Sequence, residues 1–378
     1  MKDTGTSLTD KNNNNNNNSS LSRETIFNIA AGLWISKTLM AAVELEVFSK
    51  LSGNRSVTLN ELQSLLGLEA RPTEALATAL VSLGLLQASK NGIGERLYSN
   101  SKLSETFLDI SKPDSYIGDI VTIFDKRFYK SWEKLVECLK SNKPIEERGE
   151  IKLGDLSIIK DYYWNAEAIE QIKTFIHGMY DINVNRALAL TKLFDFSKYS
   201  KIMDIGGLSA GVYAIQAVKA YANLSAEVVL PLAPVREIAD EYIKQFNLQG
   251  KIKTKALDLF KEKEFSNDCD VAILSNIIHH NNEKRNRFLL KKIYDNLVSK
   301  NKYNNNDESV IIISEWLLND EKTGPTSSAL MNLNMMVESS EGRTYSFAEI
   351  SGILESAGFK NVEKRGAVGP ADFIIGYK

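Results

Sequence analysis

Cysteine and histidine are scarce in this chain, with two and three copies in 378 residues. Cys138 and Cys269 show no Cys-x-x-Cys and no Cys/His spacing. That excludes a disulfide framework and a zinc-type metal site, and it points to a reducing, cytoplasmic setting. Any chemistry that needs an imidazole must use His177, His279 or His280. A charge excess is missing too: 46 Lys and Arg face 48 Asp and Glu. Nucleic-acid binding driven by net charge is therefore not expected. No uninterrupted apolar run reaches the roughly 18 residues of a membrane span. The first twenty residues lack an apolar signal segment, so neither a membrane nor secretion is expected. What is present is 43% hydrophobic residues, enough for two ordinary cores.

Residues 1–21 read as a disordered tail built around the run Asn12 to Asn18, which has nothing apolar to bury. Asn301 to Glu308 reads as an expanded polar loop. From Glu24 to Leu51 the apolar spacing is helical. Thr58-Leu-Asn-Glu61 spells a capping box that opens a second helix, and Gly67 closes it. Pro72 belongs to the first turn of a third helix carrying Leu76, Leu80 and Leu83. Gly92-Ile-Gly94 then forms a tight turn between two short strands. Helix, turn, helix and Gly-tipped hairpin make a winged helix. Its candidate recognition segment, Arg71 to Leu86, holds one Arg and no Lys. A major-groove helix needs cations, so a packing or dimerisation unit is expected rather than DNA binding. Residues 109–195 read as a mainly helical connector.

Beyond Lys201 the period changes. Lys201 to Asp204, Ala226 to Leu230, Val271 to Leu274 and Val310 to Ile313 are short apolar runs separated by helical stretches. Such alternation predicts an α/β fold with a parallel, doubly wound sheet covered on both faces. Ligands of such sheets sit at the carboxyl ends of the strands. The residues found there are Asp204-Ile-Gly-Gly-Leu-Ser-Ala-Gly211, Pro231, Asp258, Asn276-Ile-Ile-His279-His280 and Glu315-Trp316.

In these segments the chain resembles the small-molecule O-methyltransferases of the class I S-adenosylmethionine-dependent superfamily. Leu33-Trp34, Arg71-Pro72-Thr73, Phe175-Ile-His-Gly-Met179, Phe194-Asp-Phe-Ser197, Leu333-Asn-Met335 and Ala357-Gly-Phe359 carry the rest of the likeness. The resemblance implies a winged-helix dimerisation domain over 22–108, a connector over 109–195 that contributes to the substrate side, and a Rossmann-like catalytic domain over 196–378. It implies S-adenosylmethionine as cofactor and a homodimer, or a heterodimer with a related methyltransferase. It implies His279 as the general base, oriented by Glu315, acting on the hydroxyl of a small aromatic molecule. Met179, Asp204, Gly206, Gly207 and Asp258 match positions that surround the cofactor. Met331, Met335, Met336 and Trp316 are candidate pocket or core residues.

Three positions depart from the family pattern. Leu208 and Ala210 stand where glycines are expected, and a Cβ disfavours the left-handed conformation such loops use. Pro231 stands where the family has the Asp that binds the ribose hydroxyls, and proline offers neither a side-chain acceptor nor an N–H. His280-Asn281 replaces the family's Asp-Trp, and the family's second carboxylate after Gly-Gly-Arg has no match beside Arg343. The leading expectation from these departures is a family member inactive as a methyltransferase. The alternatives are an active O-methyltransferase with His279 as base and a repurposed cyclase or lyase using the same pocket.

Overall fold

The computed structural model describes residues 22–113, 115–145, 166–206, 208–230, 233–261, 265–298, 308–369 and 371–378. The asparagine tail and most of the second polar loop, expected from the sequence, lie outside these residues.

The amino-terminal part follows its local signals closely. Helix α1, Arg23–Glu44, begins where the Ser22 side chain accepts from the Glu24 N–H. Helix α2 is Val47–Lys50, and β1 is Val57–Thr58. Helix α3, Leu59–Leu66, has the full Thr58/Glu61 capping box, and Gly67 ends it at φ 65°. Helix α4 is Ala70–Ser82, with Pro72 in its first turn. Strands β2, Leu86–Lys90, and β3, Arg96–Asn100, pair antiparallel around the Gly92–Gly94 turn, and β1 completes a three-stranded sheet ordered β1-β3-β2. Phe48, Leu51, Leu62, Leu80 and Tyr98 fill its core. Helix α5 is Lys102–Phe107.

The connector comprises α6, Gly118–Ile123, a π-helical turn Phe124–Phe128, α7, Tyr129–Trp132, α8, Leu135–Ser141, and the long α9, Ala166–Leu193. Helix α6 crosses α9 at Gly178, where a Cβ would lie 2.6 Å from Ile123 and 3.1 Å from the Ile120 backbone.

The carboxy-terminal part alternates as expected: β4 Lys201–Gly206, α10 Val212–Ala220, β5 Ser225–Leu230, α11 Ala233–Gln245, β6 Ile252–Ala256, β7 Val271–Ser275, α12 Glu283–Asn296, β8 Val310–Leu318 and α13 Thr326–Glu338. It closes with β9 Tyr345–Ser346, α14 Phe347–Ala357, β10 Lys360–Val368 and β11 Ala371–Tyr377. The sheet order is β10-β11-β8-β7-β4-β5-β6, with β9 beside the end of β8. Side chains alternate between faces along each strand. Ile202 packs with α9, α10 and α11, whereas Met203 and Ile205 pack with α12 and α14.

The expectation of a parallel sheet needs one correction. Strands β4 to β8 pair parallel, but β11 runs antiparallel to β8 and to β10, so the sheet is mixed. The last two strands form a hairpin, which short connections permit only between antiparallel neighbours. Strand β4 touches β5 on one side and β7 on the other, which makes its carboxyl end the switch point where such sheets bind ligands.

Candidate active site at the carboxyl ends of β4, β7 and β8

His279 lies in a short 3-10 turn just after β7, and Glu315 is the sixth residue of β8. Parallel pairing of β7 with β8 brings the two strand ends together. His279 is 2% exposed, Glu315 is fully buried, and the imidazole Nδ1 lies 2.6 Å from Glu315 Oε1. The same carboxylate oxygen accepts from the Trp316 N–H at 2.9 Å, and Oε2 accepts from the His279 N–H at 3.3 Å. A carboxylate only accepts, so Nδ1 carries the proton in this contact, and in the neutral tautomer Nε2 is left as the acceptor. The backbone is braced as well. Arg343 N–H donates to the His279 carbonyl at 2.8 Å, and a Cβ on Gly342 would meet that oxygen at 2.8 Å. Gly342 therefore lets the turn after α13 lie directly on the His279 peptide. The arrangement is a fixed imidazole backed by a buried carboxylate, a pairing that can serve general-base catalysis.

His280 does not share that role. Its ring centre is 4.2 Å from that of His279, and burial, with His279 and Arg127 nearby, holds its pKa well below the ordinary histidine value. It stays neutral. His177 lies on a different face of α9, with Nδ1 2.7 Å from the Tyr242 hydroxyl. No group of His, Cys, Asp and Glu converges as a metal-ligand set among the described residues.

The turn after β4 resolves the two glycine replacements differently. Leu208 is buried in the main core cluster and is absent from the residues with positive φ. The left-handed conformation falls on Ala210, φ 49°, and Gly211, φ 75°. Gly211 caps α10, and a Cβ there would meet Val228 on β5 at 2.9 Å. The one-residue displacement of glycine thus serves close helix–strand packing, while an alanine bears the strained angle. An L-residue in that region is disfavoured by roughly 1–2 kcal/mol. Ala210→Gly is accordingly expected to stabilise the fold by about 1 kcal/mol, less the entropy glycine loses. A melting temperature raised by a few degrees would show it, and an unchanged or lower one would contradict it.

Asp204, the last-but-two residue of β4, is fully buried. Its Oδ2 accepts from the Ala214 N–H at 2.9 Å, and its Oδ1 is buried without a hydrogen-bond partner among the described residues. Burial pushes its pKa up to about 7, against the lowering effect of the Ala214 N–H. The unfolded carboxyl titrates near 3.9. Between roughly pH 4 and pH 7 the folded protein retains a proton that the unfolded chain has released, so this group makes stability fall as pH rises through that window. Asp204→Asn should flatten the decline in melting temperature between pH 5 and pH 8. Equal slopes in wild type and variant would contradict the assignment.

The remaining sequence-named residues lie on or beside several elements of the fold. Met179 packs on the core edge of α9, and its carbonyl accepts from Asn183 Nδ2 at 2.7 Å. Gly206 ends β4, where a Cβ would lie 3.1 Å from Asp204 Oδ1. Asp258 follows β6 and folds its carboxylate back on the Phe260 and Lys261 N–H groups at 3.1 and 3.3 Å. Gly207 and Pro231 lie outside the described residues. Trp316 is partly buried at the end of β8, Met335 is core, and Met331 and Met336 are half-buried on α13.

Several residues at the site had no sequence motif to announce them. Arg127, on the π-helical turn, pairs with Glu338 at the end of α13, and its guanidinium lies 5.9 Å from the Phe175 ring centre. Trp132 Nε1 donates to Asn334 Oδ1 at 2.9 Å. These contacts tie the connector to α13. Deeper, Asn276 Nδ2 donates to Asn183 Oδ1 at 3.0 Å, Tyr213 donates to Ser314 Oγ at 2.7 Å, and Ser209 and Ser275 hydroxyls lie 3.1 Å apart. The one available signal was a break in the apolar stripe of α9, where Asn183 and Arg186 follow Phe175 and Met179 at helical spacing.

Comparison with known proteins identifies a family. An O-methyltransferase domain model matches residues 157–360, and an O-methyltransferase dimerisation domain model matches 27–109. The chain is 30% identical over 335 residues, 89% of each protein, to the 3-hydroxy-5-methyl-1-naphthoate 3-O-methyltransferase of Streptomyces sahachiroi. It is 28% identical to the acetylserotonin O-methyltransferase of Gallus gallus, covering 94% of this chain and 97% of the relative. Among solved structures, human N-acetylserotonin methyltransferase in complex with SAM superposes with a TM-score of 0.79 at 22% identity, over 96% of this chain and 99% of the other.

Proposed function

Because the chain belongs to the O-methyltransferase family, whose methyl donor is S-adenosylmethionine, we propose that it is an active methyltransferase acting on a hydroxyl of a small aromatic metabolite, with His279 as general base. The observation that carries this reading is the buried His279–Glu315 pair at 2.6 Å. Burying a carboxylate against an imidazole has a desolvation cost that packing alone does not call for. The relative from Streptomyces sahachiroi, named for methylating a hydroxyl on an aromatic ring, supports the substrate class.

Asp204, Gly206, Met179 and Asp258 would hold the cofactor. The unpartnered, buried Asp204 Oδ1 is an acceptor awaiting a donor, and the absence of a Cβ at Gly206 leaves its approach open. When bound, S-adenosylmethionine supplies an electrophilic methyl group on a sulfonium. The protein's share is proton management. His279 Nε2 receives the hydroxyl proton, Glu315 stabilises the imidazolium through Nδ1, and the Arg343 and Gly342 backbone contacts keep the ring in place. Helix α1 exposes Ile26, Phe27, Ile29, Leu33 and Trp34, an apolar face suited to a second copy of this chain. This same helix is long and apolar enough to cross a membrane by length and composition. Its place in the dimerisation domain favours a protein partner. Two free, buried cysteines suit a reducing cytoplasm.

A second reading, the inactive family member, is favoured by Ala210 in the left-handed region and by the loss of an acid at Pro231. Incubation with methyl-labelled S-adenosylmethionine and a panel of hydroxyarenes separates the two. Label in product supports the active enzyme. A protein that binds S-adenosylhomocysteine and labels none of the panel favours the second.

A further inference from the structure

Arg186 lies on α9, two turns beyond Met179, and is 3% exposed. Among the described residues no carboxylate pairs with it. The partly buried Arg127 has Glu338, whereas Arg186 has only a long 3.4 Å bond from Nη1 to Asn183 Oδ1 and the Trp316 ring, 5.3 Å away. That Asn183 oxygen already receives Asn276 Nδ2 at 3.0 Å and the Tyr213 hydroxyl at 3.4 Å. A carbonyl oxygen has two lone pairs, so the guanidinium is its third and weakest claimant. Glu315, the carboxylate whose charge reaches Arg186, is committed to His279 and the Trp316 N–H. A guanidinium stays charged in proteins, and a buried charge without a counter-ion is unfavourable. The fork of N–H groups suits one partner best, a carboxylate held by two parallel bonds.

The position says which carboxylate. Arg186 stands beside Tyr213, at the start of the helix that leaves the glycine-rich turn, and both it and Asp204 act electrostatically on the Tyr213 hydroxyl. Asp204, whose Oδ2 accepts from the N–H of Ala214 next to Tyr213, has its buried Oδ1 without a partner among the described residues. One cation and one acceptor flanking the glycine-rich turn are what an α-amino acid group requires. Building on the proposed function, we infer that Arg186 holds the carboxylate of the cofactor's methionine moiety, with Asp204 receiving its ammonium. In this arrangement an ion pair to the amino-acid end offsets the missing acid at Pro231, and Arg186 positions the donor without touching the transferred methyl group.

Two ligands test this, S-adenosylhomocysteine and 5′-methylthioadenosine, the latter lacking the amino and carboxylate groups. Each is titrated calorimetrically into the full-length protein, its Arg186→Met and Arg186→Gln variants. Wild type is expected to bind S-adenosylhomocysteine more tightly than methylthioadenosine. Both variants should lose about 10- to 100-fold for the former, the usual worth of one charge-assisted hydrogen bond, with methylthioadenosine affinity unchanged. Arg186→Gln, which keeps a polar side chain, covers a folding failure of Arg186→Met. Undiminished binding of S-adenosylhomocysteine overturns the inference, and so does equal loss for both ligands, which marks a structural role. An Arg186 serving a carboxylate on the acceptor substrate would likewise leave S-adenosylhomocysteine binding intact. Failure of wild type to bind either nucleoside defeats the functional reading itself, and Arg186's role with it.

Discussion

His279→Ala is expected to lower methyl transfer by about 10²- to 10⁴-fold, the contribution typical of a positioned general base, while S-adenosylhomocysteine binding stays within about twofold of wild type. Among the described residues His279 bonds Glu315 and the Arg343 N–H, and neither is proposed to hold the cofactor. The variant leaves Glu315 buried without its imidazole partner, and breaking such a pair costs roughly 3–5 kcal/mol. The Trp316 and His279 backbone N–H groups still bond that carboxylate, which moderates the loss. His279→Gln retains a donor for Glu315 and no base, so it separates lost chemistry from lost packing. If both variants are slow and both fold, the base assignment stands. If His279→Gln transfers methyl groups as wild type does, the proton leaves by another route and His279 is structural.

Pro231→Asp should tighten S-adenosylhomocysteine binding by about 10- to 100-fold, because one hydrogen bond to a charged group contributes roughly 1.5–3 kcal/mol. The prediction rests on the sequence position, directly after β5, where α/β nucleotide sites place a ribose-binding acid. Neither Glu227 nor Glu237 substitutes within three residues, and the Glu227 carboxylate accepts from Ser266 Oγ at 2.6 Å. Calorimetric comparison of the two proteins gives the difference directly. Unchanged affinity would mean that another group already holds the ribose, and a turnover unaffected by the substitution would then follow. A large gain would place the main weakness of the cofactor site at this residue.

Much of the fold could be read because local and global signals coincide. The Thr58/Glu61 box and Gly67 delimit α3 by hydrogen bonds that lie within a few residues. The buried parallel strands announce themselves as short apolar runs, such as Val310 to Ile313 within β8. The closing hairpin was less legible from pattern. Strand β10, Lys-Asn-Val-Glu-Lys-Arg-Gly-Ala-Val, alternates weakly at the sheet edge, and its direction is set by partner β11 rather than by its own residues. The dyad was legible because its members follow the apolar runs Val271 to Leu274 and Val310 to Ile313, which pair side by side and in parallel. The glycine-rich turn was only half legible. The sequence marks Leu208 and Ala210 alike as replacements, but the chain places Leu208 in the core and gives the left-handed angle to Ala210. Arg186 was marked only by the break in the apolar stripe of α9, since nothing in one sequence says that a helical arginine is buried and lacks a counter-ion among the described residues. Asn276 and Asn183 met for the same reason, through tertiary packing across 93 positions.

The central claim is that this chain still binds the family cofactor and uses His279 on a hydroxyl. Calorimetric titration of the wild-type protein with S-adenosylhomocysteine tests it most directly. Micromolar binding is the predicted result, and it would direct the search to hydroxyarene substrates with His279→Ala as control. No heat at millimolar ligand would contradict the account and return the protein to a non-catalytic or repurposed role.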